Sequence, residues 1–153
     1  MPSFVYNISL GRAVEFYQRV DGGDPSTALL VVTAITTSAG DAALKDLDTF
    51  QQIIDRTDTD EVTNTGYTRK SFNAAGLAAT NPDDVNDVWE LDVGDITWAA
   101  VQAGTSWTDL IFNYNRQGDN VAANFIPMTQ HDFNITPDGS DITAVVNVFF
   151  RAS

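Results

Sequence analysis

The sequence predicts a mainly β protein, either an antiparallel sandwich or a small barrel, with one short helix. Three observations favour this class. Strand-length segments that are alternately or continuously apolar recur along the chain. Gly, Asp, Asn and Pro separate these segments at short intervals, as tight turns require. The 21 acidic residues include 18 aspartates and only three glutamates, and aspartate favours turns and caps whereas glutamate suits helix interiors.

The chain of 153 residues is predicted to form one β-rich domain spanning residues 1–153. Its hydrophobic content of 43% is ordinary for a globular domain, and no repeat or linker divides it. Residues 1–12 could form an extended N-terminal arm. This segment, "MPSFVYNISLGR", lacks the basic start and apolar stretch of a signal peptide. The longest apolar run has the length of a strand, so we expect no membrane-spanning segment.

Strand-like segments make up most of the chain. We expect half-buried strands in "AVEFYQRV" and "VWELDV", and a strand covered on both faces in "ALLVVTAI". In "WTDLIFNYN", Leu110, Phe112 and Tyr114 should face one side, with Asn113 and Asn115 on the other. Four further segments are predicted strands: "GYTRKSF", "ITWAAV", "FIPM" and the final "DITAVVNVFFR".

One helix is predicted, at about residues 47–56. Leu47, Phe50 and Ile54 recur at spacings of three and four residues and would share one helix face. Asp48, with Gln51 three residues later, fits a capping box at the start of this helix. The polar stretch "TDTDEVTNTG" that follows is predicted to be a surface loop.

The charge of the chain limits its partners. Eight basic against 21 acidic residues give a formal net charge of −13. Nucleic-acid binding needs several lysines or arginines to displace counterions, so we expect no nucleic-acid partner. Anionic membrane surfaces are disfavoured for the same reason. The absence of cysteine removes disulfides, thiol nucleophiles and thiolate metal sites.

Catalytic and metal-binding patterns are weak. His131 is the only histidine and hence the only histidine base for a triad. Asp132 adjoins it, and adjacent side chains of an extended chain point to opposite faces, so Asp132 is poorly placed to orient the ring. One histidine without cysteine disfavours zinc, and the acidic segments "DTDE" and "NPDDVND" do not fit a calcium loop. We therefore expect no catalytic residue, no metal and no cofactor, and interpret the protein as a non-enzyme.

The segment "HDFNITPDGSDIT" is predicted to contain a hairpin turn. Pro137 presets the backbone angle of the first turn position, Asp138 follows, and Gly139 supplies the left-handed conformation. This turn would join "HDFNIT" to the final strand as a three-residue hairpin loop with a glycine bulge.

Several segments in the chain from about Leu44 onward resemble a family of small virion proteins of tailed bacteriophages. The most specific are "NTGYTRK", "PMTQHDFNITPDGSDIT" and the terminal "FFRAS". Members of the family are structural head proteins. The resemblance implies a capsid decoration (cement) protein on the outer capsid surface, and it brings no catalytic residues with it. It also implies the major capsid protein as partner and self-association, as a homotrimer, so that neighbouring capsomers are bridged.

Scarce basic residues are candidates for contacts between subunits. Arg69, Lys70 and Arg151 could each pair with a carboxylate across an interface. Two alternative functions stay open. One is another virion structural protein, such as a head fibre base or a tail-associated protein.

The other alternative is a non-catalytic carbohydrate-binding β-module. It would use aromatic residues such as Trp89, Trp98 and Trp107 as a sugar platform, although aromatics at strand spacing are more often core. A hydrolase version of this alternative would need a pair of carboxylates, and nothing singles out such a pair among the 21.

Overall fold

The computed structural model describes residues 3–78 and 82–153. The structure is mainly β and antiparallel, which confirms the predicted fold class. Strands in the described residues are β1 (Phe4–Val5), β2 (Leu29–Thr37), β3 (Thr59–Glu61), β4 (Lys70–Phe72), β5 (Pro82–Asp83), β6 (Val88–Leu91), β7 (Ile96–Trp98), β8 (Trp107–Asn115), β9 (Phe125–Ile135), β10 (Ile142–Ala144) and β11 (Phe150–Ala152). The α-helices are α1 (Ala13–Asp21), α2 (Asp41–Leu44) and α3 (Phe50–Ile54). Short 3-10 helices cover Asn7–Ser9, Ala74–Gly76 and Ala122–Asn124.

The largest sheet has six strands in the order β1-β9-β8-β2-β3, with β4 also paired to β2. Two smaller sheets have the orders β10-β7 and β11-β6-β5. All of these pairs are antiparallel. The order of the large sheet does not close on itself, so among the described residues the fold is layered and is not a closed barrel.

Residues of the large sheet enter two cores, one on each face. Leu30 and Val32 of β2 lie in the first core, whereas Val31 and Ile35 lie in the second. Helix α1 and residues of the smaller sheets complete the first core, and the N-terminal segment, α2 and α3 complete the second. Because β2 is covered on both faces, most side chains in both of its rows are apolar.

The segment predicted as the first strand, "AVEFYQRV", is instead helix α1. Its buried residues are Ala13, Phe16, Tyr17 and Val20, the spacing of one helix face. Phe16 stacks on Tyr114 of the large sheet, with ring centroids 4.6 Å apart. The segment is short enough for its apolar residues to fit either a strand or a helix pattern. The helix forms because it lets its apolar face pack against the large sheet.

The helix predicted at about 47–56 is present in a shorter form as α3, Phe50–Ile54. Its capping box uses Thr49 and Gln52, one residue later than predicted. Thr49 Oγ1 accepts a hydrogen bond from the Gln52 N–H at 3.2 Å, and Gln52 Oε1 accepts one from the Thr49 N–H at 3.3 Å. Together these bonds satisfy backbone donors that the start of a helix leaves without an intrahelical partner.

The described part of the predicted N-terminal arm is packed onto the domain. Strand β1 pairs with β9, and Phe4 and Tyr6 are buried in the second core. The Tyr6 hydroxyl donates to Gln130 Oε1 at 2.5 Å, and Ser9 Oγ donates to the Pro127 carbonyl at 2.7 Å. Residues 3–12 of the predicted extended arm thus contact the rest of the domain through β1, Tyr6 and Ser9. Residues 1 and 2 of that prediction lie outside the described residues.

The predicted final strand is two strands. Between β10, which pairs with β7, and β11, which pairs with β6, residues 145–149 are irregular. The hairpin prediction for Pro137, Asp138 and Gly139 is also wrong, because β9 pairs with β8 and β1 and not with β10. Gly139 does adopt a left-handed conformation, with φ of 99°.

The turn at 137–140 connects two layers. The Gly139 N–H donates to the Val101 carbonyl at 2.8 Å, and the Val101 N–H donates to the Ser140 carbonyl at 3.0 Å. Asp138 Oδ1 accepts from the Ser140 N–H at 3.0 Å. The turn thus docks on the loop after β7, and it carries the chain from the large sheet to the β10-β7 sheet.

Candidate interaction surface

Three surface depressions share Phe149 as a lining residue. The first lies between β8, β9 and residues 144–149 and has a volume of about 250 Å³. The second follows the C-terminal segment over residues 148–151. The third lies between the N-terminal strand and the C-terminal segment. Val145, which lines the first depression, is 70% exposed. Concave apolar surface of this kind is a candidate contact site.

Phe149 is fixed by contacts on several sides. Its ring stacks on Phe112 of β8, with centroids 4.4 Å apart and planes inclined by 9°. The ring of Tyr17 of α1 is tilted relative to the Phe149 ring, with centroids 6.1 Å apart. The Phe149 N–H donates to the Leu91 carbonyl at 2.9 Å, directly before β11 begins. The depressions are therefore built around an anchored aromatic side chain.

The third depression is bordered by two strands at sheet edges. Its volume is about 250 Å³. It is lined at one end by Ser3, Phe4 and Val5, at the other by Phe149, Phe150 and Arg151, and between them by Thr129 and His131. We call this depression the edge groove. Strand β1 ends the large sheet and β11 ends the three-stranded sheet. Among residues 3–78 and 82–153, each of these two strands thus has one side without a strand neighbour, and such sides offer N–H and C=O groups for pairing.

His131 lies in β9 beside the edge groove. Its Nε2 is 2.9 Å from Thr129 Oγ1, and its ring meets Phe112 edge-on at 5.4 Å. Burial lowers the pKa of His131, while the Asp132 charge and a hydrogen bond to the Phe149 backbone act in the opposite direction. The ring is therefore neutral near pH 7 and acts as a packed side chain of the groove.

The sheet that contains β11 is acidic. Residues 82–91 carry Asp83, Asp84, Asp87 and Glu90, whereas β11 contributes one basic residue, Arg151. Arg151 forms an ion pair with Glu90 and its side chain is 60% exposed. Hydrogen bonds from the Asn86 side chain and from nearby backbone N–H groups lower the pKa of Asp83, with a smaller contribution from Arg151. This sheet and its turn therefore carry more acidic than basic side chains.

All three candidate interface residues contact groups within the chain. Arg69 donates through Nε and Nη2 to both carboxylate oxygens of Glu61, at 2.7 and 2.6 Å, and through Nη1 to the Asn120 carbonyl at 2.8 Å. The side chains of Arg69 and Glu61 are each only 17% exposed. Lys70 Nζ lies 5.7 Å from the centre of the Trp98 ring. Arg69 therefore stabilises the fold, and Arg151 is the most exposed candidate of the three.

Two of the three tryptophans that could form a sugar platform lie in the core. Trp98 and Trp107 are 0% and 1% exposed, and their rings meet edge-to-face at 5.2 Å. Trp98 Nε1 donates to the Thr68 carbonyl at 2.7 Å, and Trp107 Nε1 donates to Asn64 Oδ1 at 3.1 Å. These two residues cannot present their ring faces to a sugar at the surface.

Sequence reasoning missed the edge groove. Its parts come from the two ends of the chain and from β9 in the middle, and a pattern search in one segment cannot bring them together. One sequence feature could have indicated an apolar surface here: in the terminal "FFRAS", two phenylalanines precede an arginine.

Residues 3–78 and 82–153 contain no group of three or more His, Asp or Glu side chains positioned to hold a metal ion. None of the helices in these ranges is long and apolar enough to cross a membrane. Comparison with known protein families, curated proteins and solved structures finds no match to this chain.

Proposed function

We propose that this protein is a decoration (cement) protein of a tailed-bacteriophage capsid. It binds the major capsid protein on the outer shell and stabilises the shell by bridging neighbouring capsomers. One observation carries the proposal: two segments that resemble the phage head family line the same groove. "PMTQHDFNITPDGSDIT" supplies Thr129 and His131, and "FFRAS" supplies Phe149, Phe150 and Arg151.

The charge of the chain supports an outer position on the shell. A net charge of −13 repels the phosphates of packaged DNA and favours contact with a less acidic or basic partner surface. Charged surface of one sign also keeps free copies soluble before they attach.

Attachment at several points would give the stabilisation. In the proposed homotrimer, each copy presents the same groove, so binding of the first copy makes the later contacts intramolecular. Each contact can then be weak while the trimer remains bound. The large sheet is covered on both faces, which suits a rigid bridge between capsomers.

The direct test adds purified protein to expanded phage shells that lack their decoration protein. We expect saturable co-sedimentation and a rise in the melting temperature of the shell. An unrelated acidic protein of similar net charge is the control for nonspecific adsorption. Absence of binding, or binding with an unchanged shell melting temperature, would reject decoration. Light scattering of the free protein tests the trimer separately, and a monomer at all concentrations would reject that part.

A further inference from the structure

His131 is the only histidine of the chain, and it contacts the segment that joins β10 to β11. We call this segment, residues 145–149, the strap. We propose that protonation of His131 releases the strap, so that the depressions around Phe149 change shape as the pH falls. This release is a property of the folded chain and can be measured without any partner. Only its effect on capsid attachment rests on the proposed function.

The strap is held by few hydrogen bonds. The Val146 N–H donates to Asp95 Oδ1 at 3.0 Å, and the Phe149 N–H donates to the Leu91 carbonyl at 2.9 Å. Residues 145–149 belong to no strand, and Val145 is largely exposed. A segment with few hydrogen bonds and exposed side chains opens at a lower free-energy cost than a central strand does. The strap is therefore an element that can open while the large sheet stays folded.

His131 links β9 to the strap. Its ring forms a hydrogen bond with the backbone of Phe149, and its Nε2 lies 2.9 Å from Thr129 Oγ1. The ring also meets the Phe112 ring edge-on at 5.4 Å, and Phe112 stacks on Phe149 at 4.4 Å. Both His131 and Phe149 line the first depression and the edge groove. When the strap opens at Phe149, the imidazole therefore gains access to water.

Two charged groups line these depressions together with His131. Asp132, its neighbour on β9, lines the first depression, and Arg151 of β11 lines the edge groove. Arg151 is paired with Glu90, and Asp109 of β8 lies opposite Asp132 in the strand register. The residues that β1 and β8 contribute to the two linings are uncharged: Ser3, Phe4, Val5, Leu110 and Phe112. Asp132 is therefore the charge that acts most directly on the ring, and it favours protonation.

Burial makes the charged ring unfavourable while the strap is closed. It lowers the pKa of His131, and the opposite effects of Asp132 and the Phe149 backbone do not cancel it. In the open form the ring is in water, where the pKa of histidine is about 6.5. The open form therefore takes up a proton at a higher pH than the closed form. Opening becomes easier as the pH falls from about 6.5 to the pKa of the closed form, and the gain stays constant below that pKa.

Hydrogen exchange of the full chain, followed by NMR from about pH 7.5 to about pH 5, tests the proposal. The readouts are the hydrogen-bonded amides of Val146 and Phe149, corrected for their intrinsic exchange rates. Amides of β2 and β8 report on global unfolding. Because the chain has one histidine, the shifts of its ring protons give the pKa of His131 without ambiguity.

Two variants separate protonation from the stability of the strap. H131Q keeps a polar side chain at this position but does not titrate. D95A removes the acceptor of the Val146 N–H and keeps His131. We expect H131Q to lose most of the pH dependence, whereas D95A should keep it at a lower level of protection.

In the wild-type protein, we expect the protection of Val146 and Phe149 to fall about threefold or more over this pH range, with less change in β2 and β8. The proposal is overturned by a folded-state pKa of His131 at or above about 6.5, by pH-independent protection, by an equal fall in H131Q, or by loss of the pH dependence in D95A. The wild-type ring titration and amide protection remain decisive if H131Q does not fold.

Binding to phage shells gives a separate readout. Only the closed strap presents Phe149 in the edge groove, so shell affinity should fall by the same factor as the closed fraction. The opening constants from hydrogen exchange then predict the affinity at each pH, with less change for H131Q. Affinity that does not follow the closed fraction would reject a role of the strap in attachment and leave its release by protonation standing. Absence of shell binding at every pH would instead reject the decoration function, while hydrogen exchange still decides the release of the strap.

Discussion

Arg69 should be a main contributor to stability, and its replacement by methionine tests this. The change keeps a long apolar side chain but removes the guanidinium. In the folded protein this group joins Glu61 of β3 to the loop at Asn120, and it lies 5.0 Å from the Phe125 ring. The R69M protein therefore loses a link between a strand at the sheet edge and the loop that precedes β9.

The expected cost follows from burial and from the groups that remain. Breaking a buried ion pair by removing one partner costs roughly 3–5 kcal/mol. The Arg69–Glu61 pair retains 17% exposure on each side chain, and the Tyr67 hydroxyl still donates to Glu61 Oε1 at 2.9 Å. Both facts reduce the cost, so we expect R69M to lower the free energy of unfolding by about 2–3 kcal/mol. The melting temperature should then fall by roughly 5–10 °C.

Urea denaturation followed by tryptophan fluorescence measures the effect, because Trp98 and Trp107 are buried. R19M is the matched control, since the Arg19–Glu15 pair is 42% and 43% exposed and should contribute much less to stability than the Arg69–Glu61 pair. In a double-mutant cycle, R69M combined with E61Q should cost less than the sum of the single changes. Equal stabilities of R69M and R19M would refute the structural role of Arg69. Because Arg69 pairs with Glu61 inside the chain, a variant that reverses its charge needs a folding control before any loss of partner binding is interpreted.

Three further predictions follow from local geometry. Gly118→Ala should destabilise the protein by about 2 kcal/mol more than Gly94→Ala in urea denaturation. Both glycines have φ near 70°, but only at Gly118 would an added Cβ lie 2.5 Å from the Thr27 carbonyl oxygen, so equal effects would contradict this close approach. Burial raises the pKa of Asp109, so ionising this carboxyl costs stability progressively as the pH rises from its unfolded-state pKa through its folded-state pKa. Asp109→Asn should therefore raise the free energy of unfolding by more at about pH 8 than at about pH 3, and a pH-independent difference would contradict this. Thr49→Ala should cost about 1 kcal/mol by removing the cap of α3, whereas Asp48→Ala, beside it, should cost less in the same assay if the capping box is placed correctly.

Residues covered on both faces were the easiest to predict from the sequence. The segment of β2 is long and mostly apolar, and β8 contains consecutive apolar residues that the structure divides between the cores, with Leu110 and Phe112 in the first and Ile111 in the second. Such patterns reflect burial along a whole strand, which few competing interactions override. The mainly β class followed from these strands and from the turn residues between them.

Short segments were harder, because their conformation depends on distant partners. The alternation in "AVEFYQRV" is outweighed by the packing of Phe16 on Tyr114. The final strand is broken at 145–149, since β10 and β11 pair with strands of two different sheets. The turn at Gly139 was predicted with the correct left-handed glycine, but its partner at Val101 is remote in sequence. Arg69 looked like a candidate interface residue because the sequence does not show that Glu61 faces it.

The most direct test of the central claim is hydrogen exchange on the protein bound to phage shells. Amides of Phe4, Val5 and Phe150–Ala152 are measured in the free protein and in the shell-bound protein. Docking at the edge groove predicts that binding slows exchange at the amides of Phe4, Val5 and Phe150–Ala152. Unchanged exchange at these amides in saturated shells, with protection at another surface, would contradict the account.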